Sequence, residues 1–185
     1  NKIAKISIRV NPDVAADTHD KISTGRKGDK FGIDIDRAAD IYKITQNLPN
    51  IEIFGIATHI GSQITSLKPF QEAFKKIRKL YFDLEKENIK IKNFDLGGGI
   101  GICYDNEEII NLADYANIIK EITRDLDVSL TLAPGRAIIG NTGILISKVI
   151  HIKKTSHKNF MIIDAAMNDL ARPSLYGSYH QIIPV

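Results

Sequence analysis

The sequence contains no tryptophan, one cysteine and two methionines in 185 residues, and aromatic side chains make up only 7% of it. A single thiol, Cys103, cannot close an internal disulfide, so the chain reads as a protein of a reducing, cytoplasmic compartment, and a lone cysteine is assigned no chemistry. Nowhere do about 18 apolar residues run together, as a membrane-spanning helix requires. The opening Asn1-Lys2-Ile3 has neither the charged and apolar stretches of a signal peptide nor an initiator methionine, and is read as a start in mid-protein. Charge of one sign is not in large excess: 25 Lys and Arg against 22 Asp and Glu leave a net +3. That charge is spread along the chain and forms no basic stripe, so no nucleic-acid partner is expected. What is present, 43% hydrophobic and 25% charged residues, is the composition of a globular domain with one sizeable core. Collagen-like, coiled-coil and disordered chains are excluded.

Short β-like runs alternate with helical ones up to about residue 142, the order of parallel α/β architecture. Ile6, Ile8 and Val10 alternate with polar residues and predict a strand. Asp36 is placed to cap a helix carrying Ala38, Ala39, Ile41, Tyr42 and Ile44, and a second strand follows over 51–58. Pro69 opens an amphipathic helix in which Phe70, Phe74, Ile77, Tyr81 and Leu84 fall on one stripe. A strand over 91–96, a helix over 109–122 and a strand over 128–132 complete this part. After Gly140 the texture changes to two β-branched runs, 144–152 and 160–164, with no helix between them. These predict an antiparallel hairpin whose exposed tip is the basic stretch from His151 to Lys158.

Four unusual clusters stand where a predicted strand gives way to its loop: Arg9-Val10-Asn11-Pro12, Thr58-His59-Ile60-Gly61-Ser62, Gly97-Gly98-Gly99-Ile100-Gly101 and Pro134-Gly135-Arg136. In a barrel of alternating strands and helices such positions converge on one rim. Glycines there allow backbone N–H groups to approach an oxyanion, although a run of glycines also makes an ordinary tight turn. The run has neither dinucleotide-binding nor P-loop spacing. Ser62 and Arg136 add a hydroxyl donor and a fixed positive charge, which turns the reading toward a phosphate. His59 can stack on a flat ring or move a proton, or be satisfied by nearby backbone; no second His or Cys at ligand spacing points to metal. Arg172 and Tyr176, four residues apart, suit a substrate carboxylate or a surface turn equally well.

In order along the chain, Asn11-Pro12-Asp13-Val14, Ile22-Ser23-Thr24-Gly25, Lys30-Phe31-Gly32-Ile33, His59-Ile60-Gly61-Ser62-Gln63, Asp95-Leu96-Gly97-Gly98-Gly99, Pro134-Gly135-Arg136 and Met167-Asn168-Asp169 with Arg172 and Tyr176 resemble the diaminopimelate decarboxylases. These are pyridoxal-phosphate enzymes of the alanine-racemase-like barrel class, in the second group of ornithine, lysine and arginine decarboxylases. The resemblance implies that residues 1–142 are the C-terminal half of a TIM barrel, with about four strand–helix units, and that 143–185 begin an incomplete β-sandwich or β-barrel domain. It implies pyridoxal 5'-phosphate as cofactor, an amino-acid substrate and a homodimer. His59 would lie against the pyridine ring, while Ser62, Gly97, Gly98, Gly99, Pro134, Gly135 and the Arg136 backbone surround the phosphate. The side chains of Arg136, Arg172 and Tyr176 would hold carboxylates of meso-2,6-diaminopimelate, which loses carbon dioxide to give L-lysine, the last step of lysine biosynthesis.

The chain departs from the family pattern in two ways. Nothing matches the Ala-x-Lys-x-Asn strand that carries the Schiff-base lysine, or the late Cys-Glu segment and Tyr that complete the site; neither Cys103 nor any lysine here takes those places, so the 185 residues alone are expected to be inactive. Ala133 stands where the family usually has a Glu that contacts the pyridine nitrogen. Two readings of other classes stay open, a non-catalytic pyridoxal-phosphate barrel and a decayed product, as does carboxynorspermidine or another basic amino acid as substrate. Half a barrel is expected to leave two open edges and an inner face of Ile, Val and Leu uncovered.

Overall fold

The computed structural model describes residues 2–16, 24–26 and 28–185; Ile22 and Ser23 of the quoted motifs lie outside them. Strand β1 (Ala4–Asn11) is followed by a two-residue strand β2 (Ile33–Asp34), helix α1 (Ile35–Thr45) and strand β3 (Ile51–Ala57). Helix α2 (Lys68–Lys86), strand β4 (Asn93–Asp95), helix α3 (Leu112–Thr123), strand β5 (Ser129–Thr131) and the short helix α4 (Gly135–Ile139) come next. The chain then forms β6 (Val149–Lys154), β7 (Asn159–Ile163) and α5 (Arg172–Tyr176).

The first five strands form one sheet in the order β2-β1-β3-β4-β5, with every pair parallel. From β1 through β3 and β4 to β5, each strand lies beside the next one in the chain, with a helix in each connection. This is the succession of a barrel wall, without the reversal of an open doubly wound sheet.

The periodicities explain which faces are covered. Ile8, Val10, Ile53, Ile56 and Phe94 project toward the helices and pack with Tyr42 of α1, the predicted stripe of α2 and Tyr115 of α3. A bulge makes this possible: Ile6 pairs with Ile53 but Ser7 pairs with Gly55, so Phe54 is skipped and Ile53 and Ile56 share a face despite their odd spacing. Phe70 and Phe74 meet Tyr115 edge-on, with ring centroids 5.0 and 6.2 Å apart. Tyr42 anchors α1 to the sheet by donating its hydroxyl to the Gly55 carbonyl at 2.9 Å.

The opposite face corrects an expectation. It is polar, not a surface of Ile, Val and Leu, because the aliphatic positions of each strand are used against the helices. Ser7, Gly55, Asn93 and Ser129 form one layer across the strands, and Arg9, Ala57, Asp95 and Thr131 the next. The buried Asn93 amide donates to Ser129 Oγ at 3.0 Å and to Thr131 Oγ1 at 3.1 Å. Exposed apolar surface lies instead at the open edge, where Leu130 and Leu132 are each 44% exposed.

Several boundaries also differ. Asp34 occupies the cap position of α1 without a side-chain bond, and Asp36 sits inside the first turn, where its charge faces the helix dipole. Helix α3 starts at Leu112 and not at Ile109, because Asn111 Oδ1 accepts the N–H groups of Ala113 (2.8 Å) and Asp114 (3.4 Å). The strand expected over 91–96 is paired only over Asn93–Asp95. The antiparallel hairpin is present, but β6 begins at Val149 and runs to Lys154, so half of the basic stretch is strand and not tip. The sequence reading assigned no strand or helix at β2, α4 and α5. No described helix is long and apolar enough to cross a membrane.

Phe74 is 1% exposed at the junction of α2 and α3. Phe74→Ala is expected to lower unfolding free energy by about 3–5 kcal/mol in urea titrations. Lys79→Ala, on the exposed side of the same helix, should change it by less than about 0.5 kcal/mol. Equal losses would show that the helix-to-sheet interface is not the core.

Candidate functional site

Parallel pairing sends the C-terminal ends of β1, β3, β4 and β5 to the same rim, and backbone bonds continue beyond the strands. Thr58 N–H donates to Asp95 O at 2.8 Å, Leu96 N–H to Thr131 O at 3.0 Å and Ala133 N–H to Gly97 O at 2.7 Å. The loops after β3, β4 and β5 are thereby pressed together. A Cβ on Gly97 would run into Thr58 O, and one on Gly99 into Gly61 O, each at well under 3.0 Å; both residues also have positive φ, +68° and +105°. The buried Gly98 packs against Ala133 O in the same manner. The glycine run is therefore both a tight turn and a place where bare backbone lines the rim.

His59 is half-buried at the end of β3, and its Nδ1 accepts the Gly98 N–H at 3.3 Å. That bond assigns the proton of the neutral ring to Nε2. The His59 carbonyl accepts from Thr24 Oγ1 at 2.9 Å and from Arg9 at 3.1 Å, and the Arg9 guanidinium stacks on Phe31 at 5.3 Å. Burial and then the Arg9 charge hold His59 below the usual imidazole range, while Asp95 opposes them. The imidazole is thus a neutral flat ring, able to lie against a heteroaromatic group without charge repulsion. Asp95 accepts the Gly97 N–H at 2.9 Å and so couples β4 to the glycine turn.

Arg136, Arg172 and Tyr176 gather in a second group on the same rim. Gln63 is the link: its Oε1 accepts from Arg136 at 2.9 Å and from Ile102 N–H at 3.2 Å, and its amide donates to Ile102 O. The Arg136 guanidinium lies 5.9 Å from the ring centre of Tyr104, and Arg172 lies 5.6 Å from the same ring and 5.6 Å from that of Tyr176. Arg172 also donates to Ser178 at 3.2 Å, and His180 meets Tyr104 edge-on. Neither Arg136 nor Arg172 forms an ion pair with an acid among the described residues. Arg172 Nε and His180 Nε2 are buried polar atoms without a partner among the described residues. Ser62 is half-buried in the turn between Gly61 and Gln63, and Pro134 and Gly135 open α4.

The structure therefore brings His59, Gly97, Gly98 and the loop at 133–134 into direct contact, and Arg136, Arg172 and Tyr176 into a neighbouring group. Sequence reasoning left Arg9 and Gln63 without roles although both stand in the quoted motifs. It missed Tyr104 altogether; the one available signal was an aromatic residue in a polar loop shortly after the glycine run.

Residues 1–140 match the family described as pyridoxal-dependent decarboxylase, pyridoxal binding domain. The chain is 48% identical over 183 residues to the diaminopimelate decarboxylase of Vibrio cholerae and 45% identical over 185 residues to that of Haemophilus influenzae. It covers 98% and 100% of itself in these matches but 44% and 45% of the relatives, so it spans about half the length of the curated relatives it matches. Among solved structures, diaminopimelate decarboxylase from Helicobacter pylori complexed with L-lysine superposes with a TM-score of 0.94 at 42% identity, covering 100% of this chain and 47% of that one.

The electrostatics of the first group predict signed shifts. Arg9→Met removes the cation beside His59 and should raise its titration midpoint, read by NMR of the imidazole, whereas Asp95→Asn should lower it further. Because burial and Arg9 depress the folded value below the unfolded one, His59 costs no stability above the usual imidazole range. Stability is lost as pH falls through that range toward the folded value. Unmoved midpoints in both variants would mean that burial alone sets the shift.

Proposed function

The chain belongs to the pyridoxal-dependent decarboxylases, in their pyridoxal-binding domain, and from that premise we propose that it serves an enzyme that converts meso-2,6-diaminopimelate into L-lysine and carbon dioxide. The observation that carries the reading is the pair of guanidiniums without acidic partners among the described residues, Arg136 and Arg172, on the same rim as the glycine turn. A decarboxylase needs an anionic cofactor seated beside a site for a substrate whose far end must be recognised by charge.

The residues present fit pyridoxal phosphate. The glycine turn puts bare backbone, close-packed on the loops beside it, at the rim, and His59 is neutral and flat next to it. Ser62, Gly97, Gly98, Gly99, Pro134, Gly135 and the Arg136 backbone would hold the phosphate, with His59 against the ring. When bound, the cofactor supplies an electron sink for the charge left by loss of carbon dioxide. The Arg136, Arg172 and Tyr176 side chains would grip the carboxylate remote from the bond that breaks, orienting the substrate and offsetting its charge. The Gly98 N–H keeps the His59 proton on Nε2, so the face of the ring stays uncharged.

A far carboxylate separates the substrate candidates. Carboxynorspermidine ends in an ammonium, which two guanidiniums repel, and a pyridoxal-phosphate barrel without catalysis has no use for the pair. The Schiff-base lysine is assigned to a part of the enzyme outside these 185 residues. The hairpin would open the second, β-rich domain at about residue 143, and its uniformly exposed apolar residues suit burial within that domain and a homodimer. The enzyme would work in the cytoplasm, where amino acids are made.

The test is carbon dioxide release by the full-length protein loaded with pyridoxal phosphate. Turnover should be high with meso-diaminopimelate and low with carboxynorspermidine; the reverse order, or no release from either, refutes the reading. Ala133 stands on the rim, its carbonyl against Gly98. Ala133→Glu should restore the carboxylate that keeps the pyridine nitrogen protonated and raise kcat severalfold, whereas unchanged or lower kcat would count against that role.

A further inference from the structure

We propose that Tyr104 is a positioning residue that sets the enzyme's selectivity for a substrate with a far carboxylate; this rests on the function proposed above. Arg136 and Arg172 come from separate parts of the chain, one at the start of α4 after the parallel sheet and the other in α5 beyond the hairpin. Two like charges repel and gain by separating into solvent. Here both lie within 6 Å of the centre of one phenol ring, at 5.9 and 5.6 Å, so the electron-rich face of Tyr104 attracts each cation and brings them together. Of the hydrogen bonds they make, that of Arg172 to Ser178 stays within its own segment and that of Arg136 to Gln63 reaches the loop after β3; neither joins one arginine to the other.

The ring is itself held in place. The Glu107 carboxylate accepts the backbone N–H groups of Tyr104 and Asp105, both at 2.8 Å, and these bonds hold Glu107 below the usual carboxylate range. His180 closes on the ring from its edge at 5.8 Å. Tyr104 is thus a half-buried post on a braced loop, and the site pre-assembles two cations before any anion arrives. Preassembly favours a ligand carrying a carboxylate at that point and gives nothing to one without it.

The experiment measures binding of two probes to the full-length holoprotein by calorimetry: pimelate, a dicarboxylate with the carbon-chain length of diaminopimelate, and 1,5-diaminopentane, which is L-lysine stripped of the one carboxylate it keeps and so lacks the far carboxylate. Tyr104→Leu should weaken pimelate about tenfold and leave 1,5-diaminopentane unchanged, while Tyr104→Phe, which keeps the ring, should bind both as the unaltered protein does. In turnover, the Leu variant should raise KM for meso-diaminopimelate with little change in kcat. Equal weakening of both probes, a Phe variant as impaired as the Leu variant, or no pimelate binding by the unaltered protein overturns the proposal. If Tyr104→Leu does not retain cofactor, Glu107→Gln decides, since it loosens the brace at an exposed residue: weaker pimelate binding with unchanged 1,5-diaminopentane supports the role, and unchanged pimelate binding refutes it. Absence of carbon dioxide release by the unaltered protein would refute the substrate assignment alone, because the probe measurements do not depend on turnover.

Discussion

The close contact of the backbone between the loops after β3, β4 and β5 is the constraint on which the site depends. Thr58, Gly61 and Ala133 present carbonyls to Gly97, Gly99 and Gly98, leaving no room for a Cβ. That contact follows from strand register: Gly55, Asn93 and Ser129 are aligned, as are Ala57, Asp95 and Thr131, so the three strands release their loops at one level. A one-residue slip would turn Phe94 away from the helices and separate the carbonyls from the glycines. The packing of α1, α2 and α3 thus stabilises the fold and also holds the rim in register.

Charge on that rim is distributed unevenly. Beside the glycine turn, Arg9 and Asp95 act on His59 in opposite directions, and burial decides the outcome in favour of the neutral ring. In the second group, Arg136 and Arg172 pair with no acid among the described residues, and aromatic rings take the place of counter-ions. A neutral ring next to a pair of cations is the arrangement that the proposed flat cofactor and acidic substrate call for. The two groups are connected through Gln63 and through Ile64, whose N–H donates to Gly99 O at 2.9 Å, so a shift in one loop is transmitted to the other.

Much of this was legible in the linear chain because it rests on local periodicity. The stripe from Phe70 to Leu84 forms a helix with that stripe buried, since 3.6-residue spacing and an apolar sheet leave no other face for it. The alternation in β1 and the glycine run after β4 likewise appear where their patterns place them. Strand limits, caps and the polar inner layer were not legible. Whether Asp34 or Asp36 begins α1 depends on how β2 pairs with β1, and the side that Asn93 or Ser129 faces depends on which face the helices have already taken.

By itself, the sequence determined the alternating architecture, the family likeness and the identity of most rim residues, because hydrophobic period, turn chemistry and short motifs are properties of neighbouring positions. The tertiary structure decided that Arg136 and Arg172 share the ring of Tyr104, that Gln63 ties Arg136 to Ile102, and that His59 is neutral with its proton on Nε2. These depend on distances and burial between residues far apart in the chain, which no local pattern contains.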